Sequence, residues 1–204
     1  MSVEDFLEGE ARAKQKYEYV DGAVYAMAGA SNNHNLIATN ATVCIGGQLR
    51  GKPCHVFNSD AKVRVRNSRG SRFYYPDLSV VCQPNHSEDS FQDSPVVIVE
   101  VISASTRRTD EHEKRESYLT INTLRVYVLV EQKAPSVLVY RRTKNGFVAE
   151  SYTGLSAIIP LPEIDCNLAL AELYESINFP TPEQIHEQEE HYQLTGQMPA
   201  EFVF

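Results

Sequence analysis

Apolar residues along the chain fall into short blocks with two different periods. The blocks "VVIVEVIS" at 96–103 and "LRVYVLVE" at 124–131 are almost unbroken and rich in β-branched side chains, the pattern of strands buried on both faces. "YEYVDGAVYAMAG" alternates instead, with Asp21-Gly22 placed for a hairpin turn, and "PSVLVYRRTKNGFVAESY" repeats that pattern around Asn145-Gly146. "YYPDLSVVC" reads as a further strand, and "CHVFNSDAKVRVRN" as a strand pair or one interrupted strand.

Helical spacing occupies the intervals. "VEDFLEGEARAK" is a short amphipathic helix, and a longer one is expected over 33–49, with Leu36, Ile37, Val43, Cys44 and Leu49 facing the core and Gly46-Gly47 weakening its end. "STRRTDEHEKRESYLTINT" begins with Ser and Thr and has acids in its first turn, the signals of a helix start. A buried strand, a helix and a second buried strand make a βαβ unit, which predicts that the strands holding Glu100 and Val128 run parallel. The fold class is therefore α/β: a core of helix, three strands, helix and strand, built on a central mixed sheet flanked by helices. An N-terminal helix and hairpin precede it, and a C-terminal hairpin and tail follow.

In "IIPLPEIDCNLALAELYE", Leu168, Leu170 and Leu173 are expected to pack back as a loop and short helix. With 204 residues, 42% of them hydrophobic, one core is the expectation: a single domain over 1–180, then an acidic polar tail or peripheral helix over 181–204. No apolar run approaches the roughly 18 residues that span a bilayer, and the acidic N-terminus is unlike a signal peptide, so a cytoplasmic protein without a membrane partner is expected. Cys44, Cys54, Cys82 and Cys166 form no CxxC pair and are read as reduced, mostly buried thiols.

A net charge of −8 argues against a nucleic-acid partner until its distribution is considered. All 19 Lys and Arg lie at or before Lys144, alongside 17 acids, whereas the remaining sixty residues hold ten acids and no base. Arg64, Arg66 and Arg72, within a segment that also contains Lys62 and Arg69, are candidates for binding phosphate; so is Arg107. Solvated strand edges account for such residues equally well.

Glu100 stands inside an apolar strand, where a bare carboxylate costs several kcal/mol unless it is paired, protonated or metal-bound. Asp77, in the preceding strand of the expected sheet, is the second carboxylate. Two like charges on neighbouring strands repel unless a cation lies between them, and hard oxygen ligands suit Mg²⁺ or Mn²⁺. A structural ion pair of Glu100 with an arginine such as Arg107 is the competing account.

The runs "PDLSVV" and "VVIVEVISASTRRTD", followed by Lys114 and Tyr118 in "DEHEKRESYLTI" before "LRVYVLV", resemble the Uma-two family of restriction endonucleases, a branch of the PD-(D/E)XK nucleases. The resemblance runs from the "YEYVDGAVYAM" hairpin through "RVYVLV" and rests on the order and spacing of short motifs. It implies a Mg²⁺-dependent endonuclease acting on DNA, with double-stranded substrate and a homodimeric assembly expected. Asp77, Glu100 and the Val101 carbonyl would hold the metal.

The superfamily's acid-X-Lys is broken here, because Ile102 stands two residues after Glu100 on the same strand face. The resemblance assigns the catalytic lysine to Lys114, which shares a helix face with Asp110 and Tyr118. It also makes Glu18, His34 and Asp60 accessory candidates, together with Tyr118. The displaced lysine and the acidic balance support an alternative: a catalytically inactive nuclease-fold module that binds nucleic acid or a protein.

Overall fold

The computed structural model describes residues 1–27, 29–68, 70–103, 107 and 109–179; the expected tail over 181–204 therefore lies outside the described residues. Helix α1 (Val3–Glu10) precedes a hairpin of β1 (Tyr17–Val20) and β2 (Ala23–Ala26). Its turn is Asp21-Gly22, and both residues have positive φ, as a tight two-residue hairpin requires. Helix α2 (Asn32–Gln48) leads into β3 (His55–Asn58), β4 (Lys62–Asn67), β5 (Gly70–Tyr74), β6 (Leu78–Val81), β7 (Phe91–Gln92) and β8 (Pro95–Ile102). A π-helical turn (Thr109–Lys114) and helix α3 (Arg115–Tyr118) connect to β9 (Val126–Glu131). The last elements among the described residues are the hairpin of β10 (Ser136–Thr143) and β11 (Gly146–Thr153), the pair β12 (Ile158–Leu161) and β13 (Cys166–Ala169), and helix α4 (Leu170–Leu173).

These strands form two main sheets. One has the order β11-β10-β9-β8-β6-β3 and the other β2-β1-β5-β4-β7. "CHVFNSDAKVRVRN" is thus a strand pair divided between them. β8 and β9 are parallel, as the βαβ pattern predicts, and the remaining pairs of the six-stranded sheet are antiparallel.

Strand β8 separates two parts of the core. Val97, Val99 and Val101 face α2, where Ile37, Ala41 and Ile45 are fully buried. Ile98 and Ile102 face Val63, Val65, Tyr74, Tyr118 and Leu129 on the other side. Side chains alternate along a strand, so Glu100 belongs to the Ile98–Ile102 face. The buried stripe of α2 follows Ile37, Ala41 and Ile45 and continues to Leu49 at its C-cap. Of the expected set Ile37 and Leu49 are buried and Leu36 and Cys44 pack against the core, but Val43 is 66% exposed and Ile45 takes its place. Leu168, Leu170 and Leu173 are fully buried, as expected.

The expectation of four free thiols is corrected. Cys54 and Cys82 are joined in a disulfide, leaving Cys44 and Cys166 free. The pair lies one step beyond the antiparallel His55–Val81 partners of β3 and β6, so strand register brings together residues 28 apart in sequence. Burial pushes the Cys44 thiol up to about 11, which leaves it protonated and a weak nucleophile. A crosslink closing a loop of this size is expected to contribute about 2–4 kcal/mol to stability. Thermal melts of wild type and Cys82→Ser should differ accordingly, and coincident melts would show that the bond contributes nothing.

Candidate active site

The site forms where the chain leaves one sheet for the other, between β5 and β6. Leu78 is paired with Val99, so Asp77 stands opposite Glu100 just beyond the last β6 pair. The Val101 amide donates to Asp77 Oδ2 at 2.7 Å, fixing that carboxylate against β8. On its other oxygen, Asp77 meets His34 Nε2 at 2.9 Å. His34 lies in the first turn of α2, where its backbone N–H donates to the capping hydroxyl of Ser31 at 3.1 Å. Ser31 in turn donates to Gln132, a buried side chain just after β9, at 2.8 Å.

Glu100 is held from the opposite wall. Lys114 Nζ lies 3.3 Å from Glu100 Oε1, and the Tyr118 hydroxyl donates to the same oxygen at 3.2 Å. Lys114 also lies 2.9 Å from Glu18 and 3.6 Å from Asp110. Glu18 reaches it from β1 and is anchored by the Tyr75 amide at 3.2 Å. Asp110, Lys114 and Tyr118 are all buried, and the first two belong to the π-turn. Such turns wind wider than an α-helix and recur at functional sites. The Asp110 carbonyl accepts from the buried Tyr127 hydroxyl at 3.0 Å, which ties this turn to β9.

The carboxylates of Asp110, Asp77 and Glu18 all act on Glu100, and three of these four acids, Glu100, Glu18 and Asp110, act on the Lys114 ammonium. Burial, reinforced by Asp110, Asp77 and Glu18, holds Glu100 well above the ordinary glutamate range despite the pull of Lys114. Burial alone would lower Lys114, but Glu100, Glu18 and Asp110 outweigh it and keep the ammonium charged. Burial, with Glu100 next, holds the Tyr118 hydroxyl protonated as a donor.

Among the described residues, no three His, Cys, Asp or Glu side chains are arranged to hold a metal alone. Mg²⁺ does not require that. It ordinarily keeps several waters and takes one or two carboxylates together with substrate phosphate oxygens. The oxygen donors of Asp77 and Glu100 fit such an ion.

Of the residues singled out in the sequence, Glu18, His34, Asp77, Glu100, Lys114 and Tyr118 converge here. Asp60 does not: its side chain is largely exposed and pairs with Lys16 at 2.6 Å. The arginine candidates have carboxylate partners. Arg64 makes two 2.6 Å bonds to Asp93, and Arg66 lies 3.6 Å from the same group. Arg72 is bound to Asp21, and Arg107 to Glu131 and Glu111. Arg107 is thus occupied elsewhere, and the partner of Glu100 is Lys114. Sequence reasoning missed Gln132, a polar residue after an apolar run that carried no signal. It treated Asp110 only as a helix partner of Lys114, although its buried carboxylate is part of the cluster.

The Uma2 family model, described as "Putative restriction endonuclease", matches residues 3–171. An uncharacterised Synechocystis protein, slr1290, is 31% identical over 181 residues, covering 88% of this chain and 94% of its own. A second from that organism, sll1609, is 29% identical over 135 residues, covering 65% of this chain and 75% of its own. The crystal structure of a "putative nuclease belonging to DUF820" from Anabaena variabilis superposes with a TM-score of 0.71 at 16% identity, covering 87% of this chain and 99% of that one. At that identity the likeness shows the fold. Among the described residues, no helix is long and apolar enough to cross a membrane.

Proposed function

Since this chain belongs to the Uma2 restriction endonuclease family, we propose that it is a metal-dependent endonuclease that hydrolyses phosphodiester bonds in DNA. The observation that carries this reading is the pairing of Asp77 with Glu100 across two antiparallel strands, with the Lys114 ammonium in contact with Glu100. Asp77 and Glu100, with the Val101 carbonyl, would hold Mg²⁺ or Mn²⁺. When bound, such an ion supplies Lewis-acid polarisation of the phosphate and a more acidic water.

The remaining chemistry belongs to the chain's own groups. Lys114 stays protonated beside its acids, so it acts as a hydrogen-bond donor that stabilises charge developing on the phosphoryl oxygens, not as a base. Tyr118 orients Glu100 through Oε1, and His34 and the Val101 amide orient Asp77 from two sides. Glu18 fixes the ammonium of Lys114 through a contact that the Tyr75 amide holds in place. The lysine thus comes from the π-turn and not from position 102, where Ile102 is buried in the core.

Calorimetric titration with Mn²⁺ tests the metal site without relying on turnover. Wild type is expected to release binding heat that Asp77→Asn and Glu100→Gln each abolish. Equal heat from either variant would show that the two carboxylates do not hold the ion. An inactive nuclease-fold module would give no such heat at all.

A further inference from the structure

A second charged group lies beside the carboxylate cluster. Helix α1, the segment following it and the start of β4 enclose a cleft of about 200 Å³, lined in part by Leu7, Lys14, Gln15, Lys16, Lys62 and Tyr75. Its floor is buried. Lys62 pairs with Glu10 at 2.5 Å and donates to the Tyr75 hydroxyl at 3.1 Å, and that hydroxyl donates to the other Glu10 oxygen. The ammonium groups of Lys62 and Lys16 lie 5.1 and 5.4 Å from the centre of the Tyr75 ring. The aromatic ring thus helps to fix both cations.

The rim is less fully neutralised. Lys16 is held by the Ser59 carbonyl at 2.7 Å and by Asp60, whose side chain is 73% exposed. Lys14 is exposed and makes no ion pair with a described residue. Three ammonium groups therefore meet two carboxylates, and the contact of Lys16 with Asp60 is a surface pair of the kind that adds little and is easily exchanged. An anion with more charge than a carboxylate gains Lys14 outright and displaces Asp60 from Lys16 at small cost. Lysine suits phosphate in this role, because a point charge with three rotatable donors imposes little orientation. The cleft is smaller than the pockets that enclose drug-sized ligands and has room for a phosphate and a few waters.

Its position supplies the second half of the case. Tyr75 is two residues before Asp77, a chain reach of at most about 7 Å. Its amide holds Glu18, the partner of Lys114. We propose that the lysine cleft is a phosphate-binding subsite, in which Lys14 and Lys16 hold a backbone phosphate of the substrate strand close to the one placed at Asp77 and Glu100. The Lys62–Tyr75–Glu10 group is its fixed floor. The proposal rests on the nuclease reading above, and it assigns positioning of the strand to these lysines in place of Arg64 and Arg72, which carboxylates hold in largely buried pairs.

Fluorescence anisotropy of a labelled DNA duplex, recorded in EDTA over a series of salt concentrations, tests the subsite apart from cleavage. The full chain is compared with a Lys14→Ala/Lys16→Ala double variant and with Lys52→Ala, which removes a surface charge elsewhere. The double variant is expected to bind on the order of tenfold more weakly at low salt, with the slope of log K against log salt shallower by about 1–2, one phosphate contact per lysine lost. Lys52→Ala is expected to match wild type. A double variant with wild-type affinity and slope overturns the subsite and leaves the nuclease reading standing. A wild type that binds no duplex overturns both.

Discussion

Asp77→Ala and Glu100→Ala are each expected to reduce Mg²⁺-dependent cleavage of DNA by on the order of 10³-fold or more, while the protein remains folded. The size follows from what each deletion removes. Stabilisation of charge in the transition state is worth about 10²–10³ for a single well-placed donor, and loss of the ion removes several such interactions together. Folding should survive, because Asp77 caps the start of a strand and, without Glu100, Lys114 retains Glu18 and Asp110. Asp77→Asn and Glu100→Gln keep the shape of each side chain and should lose activity almost as completely, which separates charge from packing. Nicking of a supercoiled plasmid, followed beside a thermal melt of each variant, gives both readouts. Cleavage at the wild-type rate by either alanine variant would remove these carboxylates from the chemistry.

Lys114→Met is expected to produce the second large effect, with two consequences. Cleavage should fall about 10²–10³-fold, the usual range for losing one well-placed donor to developing charge. Stability should fall by about 3–5 kcal/mol, because the variant removes the ammonium that the buried Glu100 and the partly buried Glu18 share. Glu100 and Glu18 then favour taking up protons or binding another cation. Mg²⁺ should therefore stabilise Lys114→Met more than it stabilises wild type, by the linkage between binding and folding. Urea melts in EDTA and in Mg²⁺ measure this difference. A Lys114→Met protein that cleaves at the wild-type rate would show that the lysine missing at position 102 has no replacement on the π-turn.

Much of this architecture is legible before any folding is considered. The unbroken apolar blocks at 96–103 and 124–131 give a parallel pair, and Asp21-Gly22 marks a hairpin turn in the place it occupies. These features are local: side-chain period records how many faces of an element are buried, and turn residues record backbone conformation. The same local logic made Glu100 conspicuous, since a carboxylate among valines and isoleucines has a cost that must be offset somewhere. It also misjudged the stripe of α2, because Val43 and Ile45 are equally apolar and only the position of the facing sheet decides which one is covered.

By itself, then, the sequence determined the βαβ order, the buried strand that carries Glu100 and the need of that carboxylate for a counter-charge. The tertiary structure decided which groups meet it. Glu18 is 96 residues from Lys114, and Cys54 is 28 from Cys82, yet each pair is in contact. Strand register and the packing of one sheet against the other set such distances, and neither leaves a periodic trace in the chain. The arginines illustrate the same limit: a basic run reads alike whether its charges face solvent or, as with Arg64 and Asp93, lie against carboxylates brought from other segments. Short-range periodicity encodes burial, whereas charge compensation is a pairwise, long-range property that exists only once the chain has folded.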